Sequence, residues 1–88
     1  MPPPAFRFLG PALRQLRRMR GYSQKDLAAL ADITTAMLSS YERGRVRPSL
    51  VTLGRLLDAL DSNLTELGRV MRQRQDVEEF DKEIRGID

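Results

Sequence analysis

The sequence predicts an all-α fold of five short helices. Two observations carry that reading: apolar residues recur at three-and-four spacing between residues suited to helix caps, and no stretch alternates polar with apolar long enough to make a strand. With 88 residues, of which 41% are hydrophobic, the chain can build one small core.

Taken in order, residues 1–10 read as an N-terminal arm. Pro2, Pro3 and Pro4 favour an extended backbone, and Phe6, Phe8 and Leu9 make the second half apolar enough to dock on the body or on a second subunit. Pro11 suits the first turn of a helix whose apolar residues are Leu13, Leu16 and Met19, and Gly21 stops it. Ser23 and Asp26 have capping-box spacing and open a second helix, with Leu27, Leu30 and Ala31 facing inward. Asp32 stands at the turn, where a left-handed backbone is needed. Thr34 caps a third helix, Ile33 precedes it as a staple, and Leu38 and Tyr41 face the core. Gly44 ends that helix and Pro48 prevents its continuation. Ser49 then caps a fourth helix with a stripe of Leu50, Leu53, Leu56, Leu57 and Leu60. Asn63 caps a fifth, carrying Leu64, Leu67, Val70 and Met71. Residues 11–71 form the body, and residues 72–88 a helical tail.

Composition excludes several chemistries. There is no cysteine and no histidine, which removes disulfides, the common zinc sites and every nucleophile–histidine arrangement. No cofactor, metal or catalytic residue is expected, and the chain is not read as an enzyme. No apolar run approaches a membrane span, and the opening Met1-Pro2-Pro3-Pro4 lacks a signal-peptide layout, so a cytoplasmic location is the expectation. Net charge is +3 and unevenly placed. Residues 1–60 hold ten basic groups and four acids, whereas residues 61–88 hold five and eight. A basic body with an acidic tail points to a polyanionic partner for the body. Asp76, Glu78, Glu79, Asp81 and Glu83 lack calcium-loop spacing and its glycine, so they read as a solvated helix face.

The second and third helices, each about two turns long and joined by the tight turn Ala31-Asp32-Ile33, carry the functional signal. Small Ala28 lets the third helix cross the second closely, which is helix-turn-helix geometry. The run Leu16-Arg17-x-x-Arg20-Gly21-Tyr22-Ser23-Gln24-x-x-Leu27-Ala28, then Leu38-Ser39-x-Tyr41-Glu42-x-Gly44-x-x-x-Pro48, continues as Leu50-x-x-Leu53-x-x-Leu56-x-x-Ala59-Leu60 and Leu64-x-x-Leu67. Over residues 13–67 it resembles the Cro/cI-type (XRE-like) helix-turn-helix domain of phage and bacterial repressors. The resemblance implies a five-helix lambda-repressor-like DNA-binding domain, with the arm and tail appended. It implies a bacterial or phage transcription regulator working at the nucleoid, in most such cases a homodimeric repressor on a palindromic operator in double-stranded DNA.

Site residues follow from the same resemblance. Gln24 matches the position that contacts a DNA phosphate. Thr35, Ala36 and Ser40 match positions facing base edges, with Thr34 and Ser39 at the margin; with Leu38 and Tyr41 inward, spacing independently puts 35, 36, 39 and 40 on the outer face. These side chains are small, and none offers a bidentate base contact. Thymine methyl contacts, bridging water and DNA shape would then carry much of the specificity. Arg43, Arg45 and Arg47 match a loop that follows the DNA backbone and reaches toward the minor groove. Arg17 and Glu42 match a pair that forms a buried interhelical ion pair in many relatives. Asp32 and Asp61 depart from the pattern, which often has glycine at both places.

Beyond residue 71 the resemblance ends. Val70, Val77 and Ile84 are seven apart; Phe80 and Ile87 follow Val77 and Ile84 by three, and Gln73 interrupts the stripe at the same place after Val70. Such a stripe needs burial against the body, a second subunit or another protein. A homodimer contact through Val70, Val77, Phe80 and Ile84 is the first expectation. The alternative is an antitoxin or adaptor whose tail binds a partner protein.

Overall fold

Side chains that hydrogen-bond backbone N–H groups set the helix starts. Ser23 Oγ accepts from the Asp26 N–H at 3.0 Å while the Ser23 N–H donates to Asp26 Oδ2 at 3.2 Å, closing a capping box. Thr34, Ser49 and Asn63 accept from Met37, Thr52 and Glu66 at 3.0, 3.1 and 2.8 Å. A computed structural model describes residues 6–86, and its helices are α1 (Leu9–Met19), α2 (Gln24–Leu30), α3 (Thr35–Glu42), α4 (Leu50–Ala59) and α5 (Leu64–Arg85). The described residues form no strand, as expected of an all-α protein.

The helix stops share one geometry. α1 to α4 each end on a left-handed residue: Gly21 (φ 76°), Asp32 (φ 57°), Gly44 (φ 73°) and Asp61 (φ 50°). The N–H one residue further on reaches back five residues, as in Tyr22 to the Arg17 carbonyl at 3.1 Å and Ile33 to the Ala28 carbonyl at 3.0 Å. Arg45 to Ser40 (3.0 Å) and Ser62 to Leu57 (2.8 Å) repeat the pattern. This bond, with a second from the left-handed residue itself, satisfies carbonyls that a helix end otherwise leaves open.

α1 is the central element. Ala12, Leu13 and Leu16 are fully buried, and α1 packs against α3 on one side and α5 on the other. α2 packs on α3 and α4, with Ala28 and Ala31 buried between. Leu27, Leu38, Leu56 and Leu60 complete the dry centre. Fully burying a leucine side chain contributes about 1.5–3 kcal/mol. Arg20 closes the far end, donating to the Leu60 carbonyl at 2.8 Å and to Glu66 at 3.2 Å. The Ser62 hydroxyl, with Arg20, holds the Glu66 carboxyl below the usual carboxylate range.

The only buried charges among the described residues are Arg17 and Glu42. Arg17 Nε and Nη2 donate to the two carboxylate oxygens of Glu42 at 2.7 and 3.0 Å, and Nη1 donates to the Tyr22 carbonyl at 2.8 Å. Gln24 Nε2 adds a third bond to Glu42 at 3.0 Å. No buried side-chain polar atom among the described residues lacks a partner.

Three readings are corrected. The arm of residues 1–10 is not extended up to Pro11: Phe6–Phe8 form a 3-10 turn that runs directly into α1 at Leu9, while residues 1–5 lie outside the described residues. Pro11 keeps its place in the first turn, and Gly10 just before it lets that turn sit close against α3. A side-chain carbon there would come within 2.6 Å of the Glu42 carbonyl oxygen and closer still to that of Tyr41, so α1 butts against the end of α3. Secondly, Met19, Leu30, Leu50 and Leu64 are exposed. Each is the first or last residue of its helix, where the apolar stripe overhangs the body. Thirdly, Val70 is buried in this chain's own core, because α5 lies against α1 through that turn. The helical tail continues α5 without a break as far as Arg85.

Three stability changes follow, each read from urea unfolding. Arg17→Ala should cost about 3–5 kcal/mol by stranding the Glu42 carboxylate, and Arg17→Met with Glu42→Leu should recover most of it. Gly10→Ala should cost about 1–3 kcal/mol through overpacking against backbone. Asp32→Gly should stabilise, by less than about 1 kcal/mol, because relief of the left-handed strain is partly offset by a freer unfolded chain.

Candidate nucleic-acid interface

The face that α3 turns to solvent is short and sparsely functionalised. Thr35 and Ala36 are exposed, and Ser39 and Ser40 are half-buried. Thr34 is exposed, but its hydroxyl already accepts the Met37 N–H as the cap. Met37 is 41% exposed and joins this surface. Its apolar character gave no signal for that position; only its place two residues after Thr35, off the Leu38–Tyr41 side, marks it. Tyr41 lies in the core and is no stacking platform.

Gln24 opens α2 half-buried, with its amide nitrogen committed to Glu42. The Arg17–Glu42 pair therefore does more than join α1 to α3. It also holds the start of α2 against the end of α3, which sets how those two helices present their outer surfaces.

Arg43, Arg45 and Arg47 emerge directly beyond α3 and all three are exposed. Gly44 in its left-handed conformation turns the chain, and the Arg45 N–H bonds back to Ser40. Arg43 Nε approaches the Ser39 carbonyl at 3.4 Å. Arg47 lies over the Phe6 ring, 4.9 Å from its centroid. Arg45 has no side-chain hydrogen bond or ion pair among the described residues. Within residues 34–48 the single acid is Glu42, buried and neutralised by Arg17. The surface of α3 and its loop thus carries three guanidinium groups and no exposed carboxylate.

The far half of α5 is a second surface. Arg74 Nη1 donates to Gln15 Oε1 at 2.8 Å and Arg7 pairs with Glu78 at 2.8 Å, so the start of the tail lies along α1 and the 3-10 turn. Val77, Phe80 and Ile84 are left 69%, 64% and 51% exposed along a groove beside Phe8 and Gln15. Ile87 lies outside the described residues. Among those residues no group of acids is placed to hold a metal, and no helix is long and apolar enough to cross a membrane.

This geometry has close parallels. A helix-turn-helix family model matches residues 13–67. The HTH-type transcriptional regulator DdrOP3 of Deinococcus deserti is 54% identical over 41 residues, 47% of this chain and 32% of its own length. SutR of Escherichia coli, another HTH-type transcriptional regulator, is 38% identical over 55 residues, 62% of this chain and 31% of its own. The chain therefore spans about a third of the length of these two relatives. An uncharacterized HTH-type transcriptional regulator of Sinorhizobium fredii is 36% identical over 61 residues, 69% of this chain and 79% of its own. Among solved structures, the clp gene regulator ClgR from Corynebacterium glutamicum superposes with a TM-score of 0.87 at 25% identity, covering 98% of this chain and 93% of that one. The restriction-modification controller protein C.AhdI from Aeromonas hydrophila gives 0.67 at 37% identity, covering 70% and 94%. The chain belongs to the XRE-type helix-turn-helix family of transcription regulators.

Proposed function

We propose that the protein binds double-stranded DNA sequence-specifically and represses transcription by occupying a palindromic operator as a homodimer. One observation carries the reading: α3 and the loop after it present three arginines and no exposed carboxylate, on a chain whose remaining acids lie elsewhere. In this reading α3 enters the major groove. Thr35 and Ala36 meet base edges and thymine methyls, Ser39, Ser40 and Thr34 make single hydrogen bonds, and Arg43, Arg45 and Arg47 hold phosphates or reach the minor groove. The second hydrogen of the Gln24 amide serves a phosphate. Such a ligand places the protein in the cytoplasm, at the nucleoid.

The homodimer rests on the exposed Val77, Phe80 and Ile84 face. Two copies joined there would read half-sites about one helical turn apart. The same face supports the second reading, an antitoxin or adaptor whose tail takes a different protein.

Selection from a random duplex pool should enrich a palindrome with the full chain. Phe80→Asp should reduce it to half-sites and convert a dimer to a monomer in sedimentation equilibrium. A wild-type monomer that enriches no palindrome would sink the homodimer and favour the partner-protein reading. Arg45→Ala should weaken binding to every sequence and lower the slope of log K against log salt by about 0.9. Thr35→Ala should instead change which base is preferred. Arginine variants that alter preference, with α3 variants that alter nothing, would overturn the placement of α3.

A further inference from the structure

We infer that Phe6 is a positioning residue for Arg47: it holds the guanidinium in place for a phosphate. This rests on the DNA-binding reading above and adds a residue to it from outside the helix-turn-helix.

The three loop arginines are not equivalent. Arg43 leans on the Ser39 carbonyl, Arg45 is unsupported by any ring, and Arg47 alone lies over an aromatic ring. Pro48 restricts the backbone of Arg47 to extended conformations. The Phe6 ring then restricts its side chain. Arg47 makes no hydrogen bond or ion pair among the described residues, so its five N–H donors stay unspent while its position is held. An arginine arranged in this way loses less rotamer freedom when it meets a phosphate.

Phe6 is itself 63% exposed, yet the residues that follow it are held against the body. Phe8 is buried in the core two residues later. Arg7 lies over the Phe8 ring, 4.8 Å from its centroid, and pairs with Glu78 of α5 at 2.8 Å. Gly10 is pressed against the last carbonyls of α3, the helix from which the arginine loop leaves. The 3-10 turn, packed on α1 and α5, therefore carries the ring to the loop. An exposed phenylalanine with no place in the core gains a role once its ring is seen under Arg47.

The test measures Kd on the selected duplex for the full chain and for Phe6→Leu, Phe6→Tyr, Arg47→Ala and Arg45→Ala, with Phe6→Leu also placed in each arginine background. Phe6→Leu keeps apolar bulk but no π face and should weaken binding about two- to fivefold, the range of an exposed cation–π pair. Phe6→Tyr should bind as wild type. Phe6→Leu should add nothing to Arg47→Ala and its full effect to Arg45→Ala. Equal effects of Phe6→Leu in both backgrounds, or a Phe6→Tyr variant as weak as Phe6→Leu, would overturn the positioning role. A wild-type chain that binds no duplex would instead overturn the DNA reading. The contact itself is read separately, from ring-current shifts of the Arg47 side-chain protons in the free protein, which Phe6→Leu should abolish.

Discussion

The Arg17–Glu42 pair is the constraint on which the arrangement of the helices depends. Burying two charges is expensive, and their attraction repays it only when geometry and further hydrogen bonds are good. Here both carboxylate oxygens are engaged, and the guanidinium spends its remaining reach on the Tyr22 carbonyl. A pair so enclosed contributes little net stability compared with apolar residues of the same volume. Its effect is on geometry. It links α1, the α1–α2 turn, the first residue of α2 through Gln24, and the last residue of α3. Residues 17, 22 and 24 are thereby joined to residue 42 through one guanidinium–carboxylate pair. The surface formed by α3 and its arginine loop inherits its orientation from that junction.

Around this junction the chain uses the same local device four times. A left-handed residue ends α1, α2, α3 and α4, and a bond from the next residue closes the helix behind it. Glycine serves at 21 and 44, aspartate at 32 and 61. The two aspartates accept modest strain and show that the turn geometry, not glycine, is what the fold requires. Short connections follow, and short connections leave little freedom for the helix pair that the ion pair orients.

Much of this was legible because it is local. The caps at Ser23, Thr34, Ser49 and Asn63 and the stops at Gly21, Asp32 and Gly44 depend on neighbours within five residues, and each stands where the sequence predicts it. Long-range facts were less accessible. Periodicity alone does not join Arg17 to Glu42 across 25 residues; the family resemblance supplied that pair. Helix-end leucines such as Leu50 and Leu64 look like core residues until the limits of the body are known. Val70 and Val77 sit on one stripe, yet one is buried and the other exposed, because burial depends on where α1 stops covering α5. The 3-10 turn at Phe6–Phe8 was illegible for a similar reason. It is followed by Gly10, whose close approach to two carbonyls of α3 no pattern near residue 10 reveals.

The small side chains on the outer face of α3 give these framework details their weight. Thr35, Ala36, Ser39 and Ser40 offer methyl contacts and single hydrogen bonds, each a weak discriminator compared with a bidentate pair. In a DNA complex built on such a helix, more of the affinity falls to phosphate contacts, and more of the specificity to the shape of the DNA that those contacts can follow. Phosphate contacts separate one DNA shape from another only if the groups making them are fixed relative to one another. A floppy arginine can follow a phosphate wherever the duplex puts it and so reads nothing. A rigid junction behind α3, left-handed stops of one geometry and a ring beneath Arg47 all act against that freedom. On the proposed reading, the small side chains of α3 and the contacts that place the groups around it answer one requirement.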